Sequence, residues 1–192
     1  MNTDEVLQVF RDCGAMLEGH FILTSGLHSP VFLQKARVFM HAEHTATLCS
    51  ALAERVKQAF PDGIDCVVGP AVGGIIPAYE TSRHLGVPNV WVEREDGVFK
   101  LRRFELPEAA RVVIIEDIVT TGLSIRETVQ SLQDIGAEVL AAACLVDRSA
   151  GKADVGVPLI ALADYEVPAY KPDEVPPEMR DIPAIKPGSR NL

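Results

Sequence analysis

The sequence predicts an α/β domain with a central, mostly parallel sheet flanked by helices. Three observations carry this. Continuous apolar runs at 66–68, 112–115 and 139–146 read as strands buried on both faces. The first two of these lead into turns of small residues and then into amphipathic helices, the alternation that builds a parallel sheet. The chain has 192 residues, 47% hydrophobic and 23% charged, which is the size and balance of one globular domain with a core of its own.

The elements follow in order. Asn2 and Glu5 have capping-box spacing, and Val6, Phe10, Cys13 and Leu17 share one helical face, so a first helix is expected to run until Gly19. The stretch from His20 to Phe39 reads as short strands broken at Ser25-Gly26 and Ser29-Pro30. Leu48, Leu52, Val56 and Phe60 form an i, i+4 stripe, giving a helix over 43–60 that Pro61-Asp62-Gly63 stops. An apolar strand through Cys66 enters a glycine-rich turn, residues 74–85 form a helix ending at Gly86, and 87–93 form a strand. Residues 94–110 are polar and mixed in charge, and Asp96-Gly97 suits a hairpin turn. A strand from Arg111 precedes a helix with Ile125, Val129, Leu132 and Ile135 on one face. Two more strands lie in 138–149 and 157–167. Beyond Val167 come six prolines (168, 172, 176, 177, 183 and 187) and no apolar period, which describes an extended tail, draped over the domain or partly disordered. The expected organisation is one domain over 1–166, its core in 43–166, and a tail over 167–192.

Charge and cysteine usage narrow the function classes. A net charge of −9 is the wrong sign for a surface that wraps nucleic acid or docks on an anionic membrane. Taken alone, it also favours neutral or cationic small substrates. Cys13, Cys49, Cys66 and Cys144 are far apart in apolar runs and read as reduced, buried thiols. The amino terminus shows no signal-peptide pattern, and no apolar run approaches the ~18 residues of a membrane span, so a cytoplasmic location is expected. His41 and His44 have a spacing seen in metal sites but no third ligand nearby, and read as a solvated helix start; Trp91 reads as core.

In a parallel sheet, ligands bind beyond the carboxyl ends of the strands. Three such ends here are chemically unusual. The run Val112-Val113-Ile114-Ile115-Glu116-Asp117-Ile118-Val119-Thr120-Thr121-Gly122-Leu123-Ser124 closes a buried strand with two adjacent acids and then opens a helix through hydroxyls and a glycine. Adjacent strand residues point to opposite faces, so both acids approach one ligand only where the strand is ending. Carboxylates accept from pairs of sugar hydroxyls, and the amides and hydroxyls of the turn, at the positive end of a helix, cradle a phosphate monoester. Together they describe a clasp for ribose 5-phosphate. The second end, Gly69-Pro70-Ala71-Val72-Gly73-Gly74, exposes amides and lets backbone approach a ligand. The third holds Arg148, a guanidinium fork suited to carboxylate and carbonyl oxygens.

The run from Val112 to Ser124 resembles the phosphoribosyl pyrophosphate signature of type I phosphoribosyltransferases. The block Gly19-His20-Phe21-Ile22-Leu23-Thr24-Ser25-Gly26-Leu27-His28-Ser29-Pro30-Val31-Phe32-Leu33-Gln34 resembles the hood of orotate phosphoribosyltransferases, whose pattern is F-x-L-x-S-G-x-x-S-P-x-F. Val146-Asp147-Arg148-Ser149-Ala150-Gly151 is similar to that family's V-D-R-x-x-G, and the resemblance spans about residues 5–166. It implies a type I phosphoribosyltransferase fold with a small hood, mainly 1–40. It also implies transfer of a phosphoribosyl group from phosphoribosyl pyrophosphate to orotate, giving orotidine 5′-monophosphate in pyrimidine biosynthesis. On that resemblance Glu116 and Asp117 hold the ribose, with Asp117 catalytic. Ile118, Val119, Thr120, Thr121, Gly122, Leu123 and Ser124 surround the 5′-phosphate. Ala71, Val72 and Gly73 lie along the pyrophosphate, and Thr120, Arg148 and Phe32 meet orotate. Arg94 and Lys100 serve as catalytic cations, and Arg94 also binds phosphoribosyl pyrophosphate. Mg²⁺ is held mainly by substrate oxygens and water, with no metal-ligating residues in the protein. A homodimer is implied, the mobile loop of one subunit reaching its neighbour's site.

The departures from the pattern mark a short-loop subfamily. Thr24 stands where many members have lysine, Val72 and Gly73 replace a Tyr-Lys pair, and the segment 93–103 is shorter and lacks the usual histidine. Two other readings remain: a transferase for purine bases, which the hood and Arg148 segment disfavour, and a nucleotide-sensing regulator that binds nucleic acid, for which no basic face or helix-turn-helix is visible.

Overall fold

The computed structural model describes residues 1–23 and 25–187. Thr24, singled out above, and residues 188–192 of the tail lie outside the described residues. Helix α1 (Thr3–Asp12) leads into an antiparallel hairpin, β1 (Met16–Ile22) and β2 (His28–Leu33), and a 3₁₀ turn over Lys35–Met40. The core follows as α2 (Ala42–Ala59), β3 (Cys66–Pro70), α3 (Ile75–Leu85), β4 (Asn89–Glu95), β5 (Val98–Lys100), β6 (Arg111–Val119), α4 (Leu123–Gln133), β7 (Glu138–Asp147) and β8 (Leu159–Asp164), with a last turn α5 (Pro177–Arg180) in the tail.

The main sheet has the order β5-β4-β3-β6-β7-β8, parallel except for the edge strand β5. Each inner strand divides its side chains between two cores. Val67, Val113, Ile115, Ala143 and Leu145 pack with α1 and α2, while Cys66, Val68, Val112, Ile114, Ala142 and Cys144 pack with Ile125, Val129 and Leu132 of α4. Helices cover both faces, which is why these strands are apolar throughout. All four cysteines are free and buried; burial pushes the thiols of Cys49 to about 12 and Cys66 to about 11. Among the described residues no helix is long and apolar enough to cross a membrane.

Several expectations are corrected. The capping box is present, with Asn2 Oδ1 accepting from the Glu5 amide at 2.9 Å and the Glu5 carboxylate accepting from the Asn2 amide at 2.9 Å. The helix nevertheless stops before Gly14 rather than at Gly19. Gly14 adopts φ +59° and donates to Arg11 O, so Leu17 lies on β1. Ser29-Pro30 does not break a strand: it lies inside β2, where the two-stranded hairpin needs only one side of the strand for pairing. Ile135 falls beyond α4 and is half exposed. Trp91 is only half-buried, its ring edge-on to Phe104 at 4.5 Å. His41 stands at the N-cap position of α2, its ring 5.8 Å from that of His44.

As far as residue 187 the tail is draped over the hairpin. Tyr170 exchanges backbone hydrogen bonds with His28, and Ile185 does so with His20 and Ile22, so the tail touches both strands of the hairpin. Its own Val167, Val175 and Met179 are buried.

Candidate active site

β3 pairs with β6 only as far as Ile114, whereas β7 accompanies β6 to Val119. The chain leaves β3 for α3 and β4 on one side and leaves β6 for α4 and β7 on the other. A crevice therefore opens between β3 and β6 at their carboxyl ends, the switch point where parallel sheets bind ligands.

Glu116 and Asp117 stand at this crevice. Contrary to expectation, the strand does not end at the acids but continues to Val119 beside β7. Its pairing with β3 has already ended at Ile114, so the two acids, on opposite faces, both stand on an edge open to the crevice. Glu116 continues the row of Val112 and Ile114 and lines the cleft at the start of α4; Asp117 continues the row of Val113 and Ile115. Both are buried, Asp117 at 1% exposure. Burial first and the neighbouring Asp117 charge second push the Glu116 carboxyl up to about 8. Asp117 Oδ1 accepts from the Ile118 amide at 2.6 Å and from Lys35 Nζ at 2.7 Å, while its Oδ2 is buried without a partner.

The cradle is a cleft of about 150 Å³ lined by Glu116 and residues 118–125, so Ile118, Val119, Thr120, Thr121, Gly122, Leu123 and Ser124 are brought together as expected. Gly122 has φ +75°, and a β-carbon on it would lie 2.7 Å from Val155 Cγ1; only glycine fits. With no side chain at this N-cap, the first-turn amides of α4 face the cleft uncapped apart from a 3.4 Å contact of Leu123 N with Thr121 Oγ1.

The loop of Ala71, Val72 and Gly73 borders the crevice from the β3 side, and its Ala71–Val72 peptide is cis. A β-carbon on Gly73 would lie 3.1 Å from Asp117 Cγ and far inside contact distance of Oδ2. Glycines 69 and 74 are needed for packing as well: a β-carbon would meet Gly74 O at 2.7 Å or Pro70 Cδ at 2.6 Å, respectively.

Arg148 follows β7, which pairs with β6 up to Val119↔Asp147; its amide donates to Val119 O at 2.8 Å, placing it beside Thr120. The turn around it is held by Asp147, whose Oδ1 accepts from the Ser149 amide. Arg148 Nε is buried without a partner, and desolvation lowers the guanidinium pKa from its ordinary value. Of the buried side-chain atoms left unpartnered in the described residues, Asp117 Oδ2 and Arg148 Nε belong to groups the sequence had assigned to substrates. Unsatisfied buried polar groups cost free energy, and a ligand that satisfies them recovers it.

The structure does not bring every expected residue to this crevice. Arg94 and Lys100 are on the β4–β5 hairpin, which turns through Asp96 and Gly97, both at positive φ. Arg94 pairs with Glu127, donates to Gly97 O and stacks on Phe99 at 4.2 Å; Lys100 pairs with Glu95 at 2.7 Å. Phe32 is half-buried in the hood, its ring 5.9 Å from that of Phe21. The residue that sequence reasoning missed is Lys35. Its acid partner is 82 positions away, and no local pattern links the two.

Residues 40–158 match the model of the phosphoribosyl transferase domain family. Along its whole length the chain is 73% identical to orotate phosphoribosyltransferase 2 of Mesorhizobium japonicum and 72% identical to orotate phosphoribosyltransferase of Brucella ovis, covering 100% of each. Its fold is similar to the crystal structure of orotate phosphoribosyltransferase from Aeropyrum pernix, with a TM-score of 0.68 and 28% identity over 83% of this chain and 93% of that one. With full-length relatives at this identity and the signature assembled at the sheet's switch point, the chain belongs to the orotate phosphoribosyltransferase family.

Proposed function

We propose that the chain transfers the phosphoribosyl group of phosphoribosyl pyrophosphate to N1 of orotate, a step of pyrimidine biosynthesis. The C1–O bond to pyrophosphate breaks as the N1–C1 bond forms, the N1 proton of orotate is released to the leaving pyrophosphate or to water, and orotidine 5′-monophosphate and pyrophosphate leave. The observation that carries this reading is two buried atoms without partners, Asp117 Oδ2 on β6 and Arg148 Nε just after the neighbouring strand β7, on the strands that lead to the phosphate cradle. Asp117 and Glu116 accept from the ribose hydroxyls, the 118–124 turn binds the 5′-phosphate, and Thr120 with Arg148 orients the orotate oxygens. Such placement lowers the barrier by orientation, since no covalent nucleophile is needed. The donor set also suits Mg²⁺ arriving on the substrate. Its shell would come mainly from phosphate oxygens and waters, with Asp117 Oδ2 free to accept from one of those waters, and it would supply positive charge to the leaving diphosphate.

The proposal includes a homodimer and a cytoplasmic location. Met40, Val72, Ile76 and Tyr79 are exposed, Val72 by 83%, around the loop at the crevice and the start of α3, and a second copy seated there would bury them. Arg94 and Lys100 then act at the neighbouring copy's diphosphate, exchanging their glutamates for phosphate oxygens. Four buried free thiols suit a reducing compartment.

The test is ultraviolet loss of orotate on mixing the protein with phosphoribosyl pyrophosphate and Mg²⁺, run beside adenine, hypoxanthine and uracil. Consumption of orotate alone is expected; consumption of a purine in its place would overturn the assignment.

A further inference from the structure

Every cation of the β4–β5 hairpin region is engaged by a carboxylate of its own surroundings. Arg94 pairs with Glu127, Lys100 with Glu95, Arg102 with Glu93 and Glu95, and Arg103 with Glu93. Lys35 differs in the nature of its partner. Its ammonium lies on Asp117, an acid that the proposed reaction gives to the ribose, and its side chain is 46% exposed. Its base is fixed: Gln34 N donates to Ala15 O, Arg37 donates to Gly14 O at 2.9 Å, and Val38 of the same turn is fully buried. The head is free to swing on a flexible four-carbon stem while the backbone stays in place.

Position 73 is the second observation. A β-carbon there would lie 3.2 Å from Lys35 Nζ and overlap the Asp117 carboxylate. The volume that a side chain at position 73 would need is thus taken by the Asp117 carboxylate and, just beside it, by the ammonium of Lys35. This chain has no cation at position 73, and the Lys35 ammonium lies beside that point.

We propose that Lys35 is a substrate-binding cation that reaches the diphosphate of phosphoribosyl pyrophosphate beside Gly73, exchanging its contact with Asp117 for the diphosphate oxygens. This rests on the reading given under Proposed function. When ribose hydroxyls engage Asp117, the ammonium moves the short distance to the diphosphate oxygens, where charge builds as the C1–O bond breaks.

The test is calorimetric binding of two ligands, phosphoribosyl pyrophosphate and ribose 5-phosphate, at fixed Mg²⁺, to the wild type, Lys35→Met and Lys35→Arg. Ribose 5-phosphate engages the cradle and acids but carries no diphosphate. Loss of one charge-assisted contact predicts that Lys35→Met weakens phosphoribosyl pyrophosphate roughly tenfold to a hundredfold. Ribose 5-phosphate binding should stay within about twofold, and Lys35→Arg should recover much of the loss. Equal weakening of both ligands would make Lys35 a mere partner of Asp117 and overturn the proposal, as would unchanged binding of both or an arginine variant as weak as the methionine one. A wild type that fails to consume orotate would instead sink the parent reading, whatever the Lys35 variants bind.

Discussion

Gly73 faces the carboxylate of Asp117 so closely that no side chain fits between them. One comes from the loop after β3 and the other from β6, strands whose pairing has already ended at Ile114. Their contact closes the floor of the crevice at the point where the proposed diphosphate and ribose meet.

Gly73→Ala should therefore displace either the loop or Asp117. We expect kcat/KM for phosphoribosyl pyrophosphate to fall by roughly a hundredfold, since small misplacements of positioning groups have effects of that order. Gly73 is only half-buried, so a thermal melt should shift little. Steady-state kinetics beside the melt check this; wild-type kcat/KM would show that the Gly73–Asp117 contact has slack.

Glu116 should make the stability of the fold depend on pH. Burial first and the Asp117 charge second push its carboxyl up from 4.5 to about 8, so between these values the folded state holds a proton that the unfolded state has released. Stability from this group is complete below about 4.5 and is lost as pH rises through 8. Glu116→Gln cannot lose that proton. Its Tm relative to wild type should rise between about pH 5 and about pH 8.5, as the wild type loses the stability of its protonated carboxyl. Parallel Tm curves for the two proteins would contradict the burial argument.

The tail should contribute to stability although its sequence has no period. Met179 is buried at 4% exposure, and nearby Ile182 O meets His20 Nδ1 at 3.0 Å in the hood. Met179→Ala should cost about 2–4 kcal/mol, the usual range for a buried methionine. Urea unfolding measures this directly, and a change under about 0.5 kcal/mol would mean the tail is not docked.

Much of this architecture was legible because it is encoded locally. Strand runs, the Asn2–Glu5 box, the α2 stripe and the signature from Val112 to Ser124 all depend on neighbours within a dozen residues. What escaped was long-range or geometric. Leu17 kept helical spacing with Phe10 and Cys13, but the left-handed turn at Gly14 outweighed that period. The tail holds on through isolated bridges and a few spaced apolar residues, which leave no repeat to detect. At position 73 the sequence revealed only the absence of a cation, while the structure gives the reason for glycine and places Lys35 opposite it. The net charge of −9 misled about small substrates for a similar reason: it is summed over the chain, while binding depends on amides and cations within one Debye length of the site.

The claim on which the account depends most is that the ends of β6 and β7 divide the two substrates, ribose to the acid pair and orotate to Arg148. Measuring KM for each substrate in Arg148→Ala tests it directly. The account predicts that KM for orotate rises roughly a hundredfold, from loss of a charge-assisted fork, while KM for phosphoribosyl pyrophosphate stays within about threefold. An equal rise in both, or none in either, would contradict it.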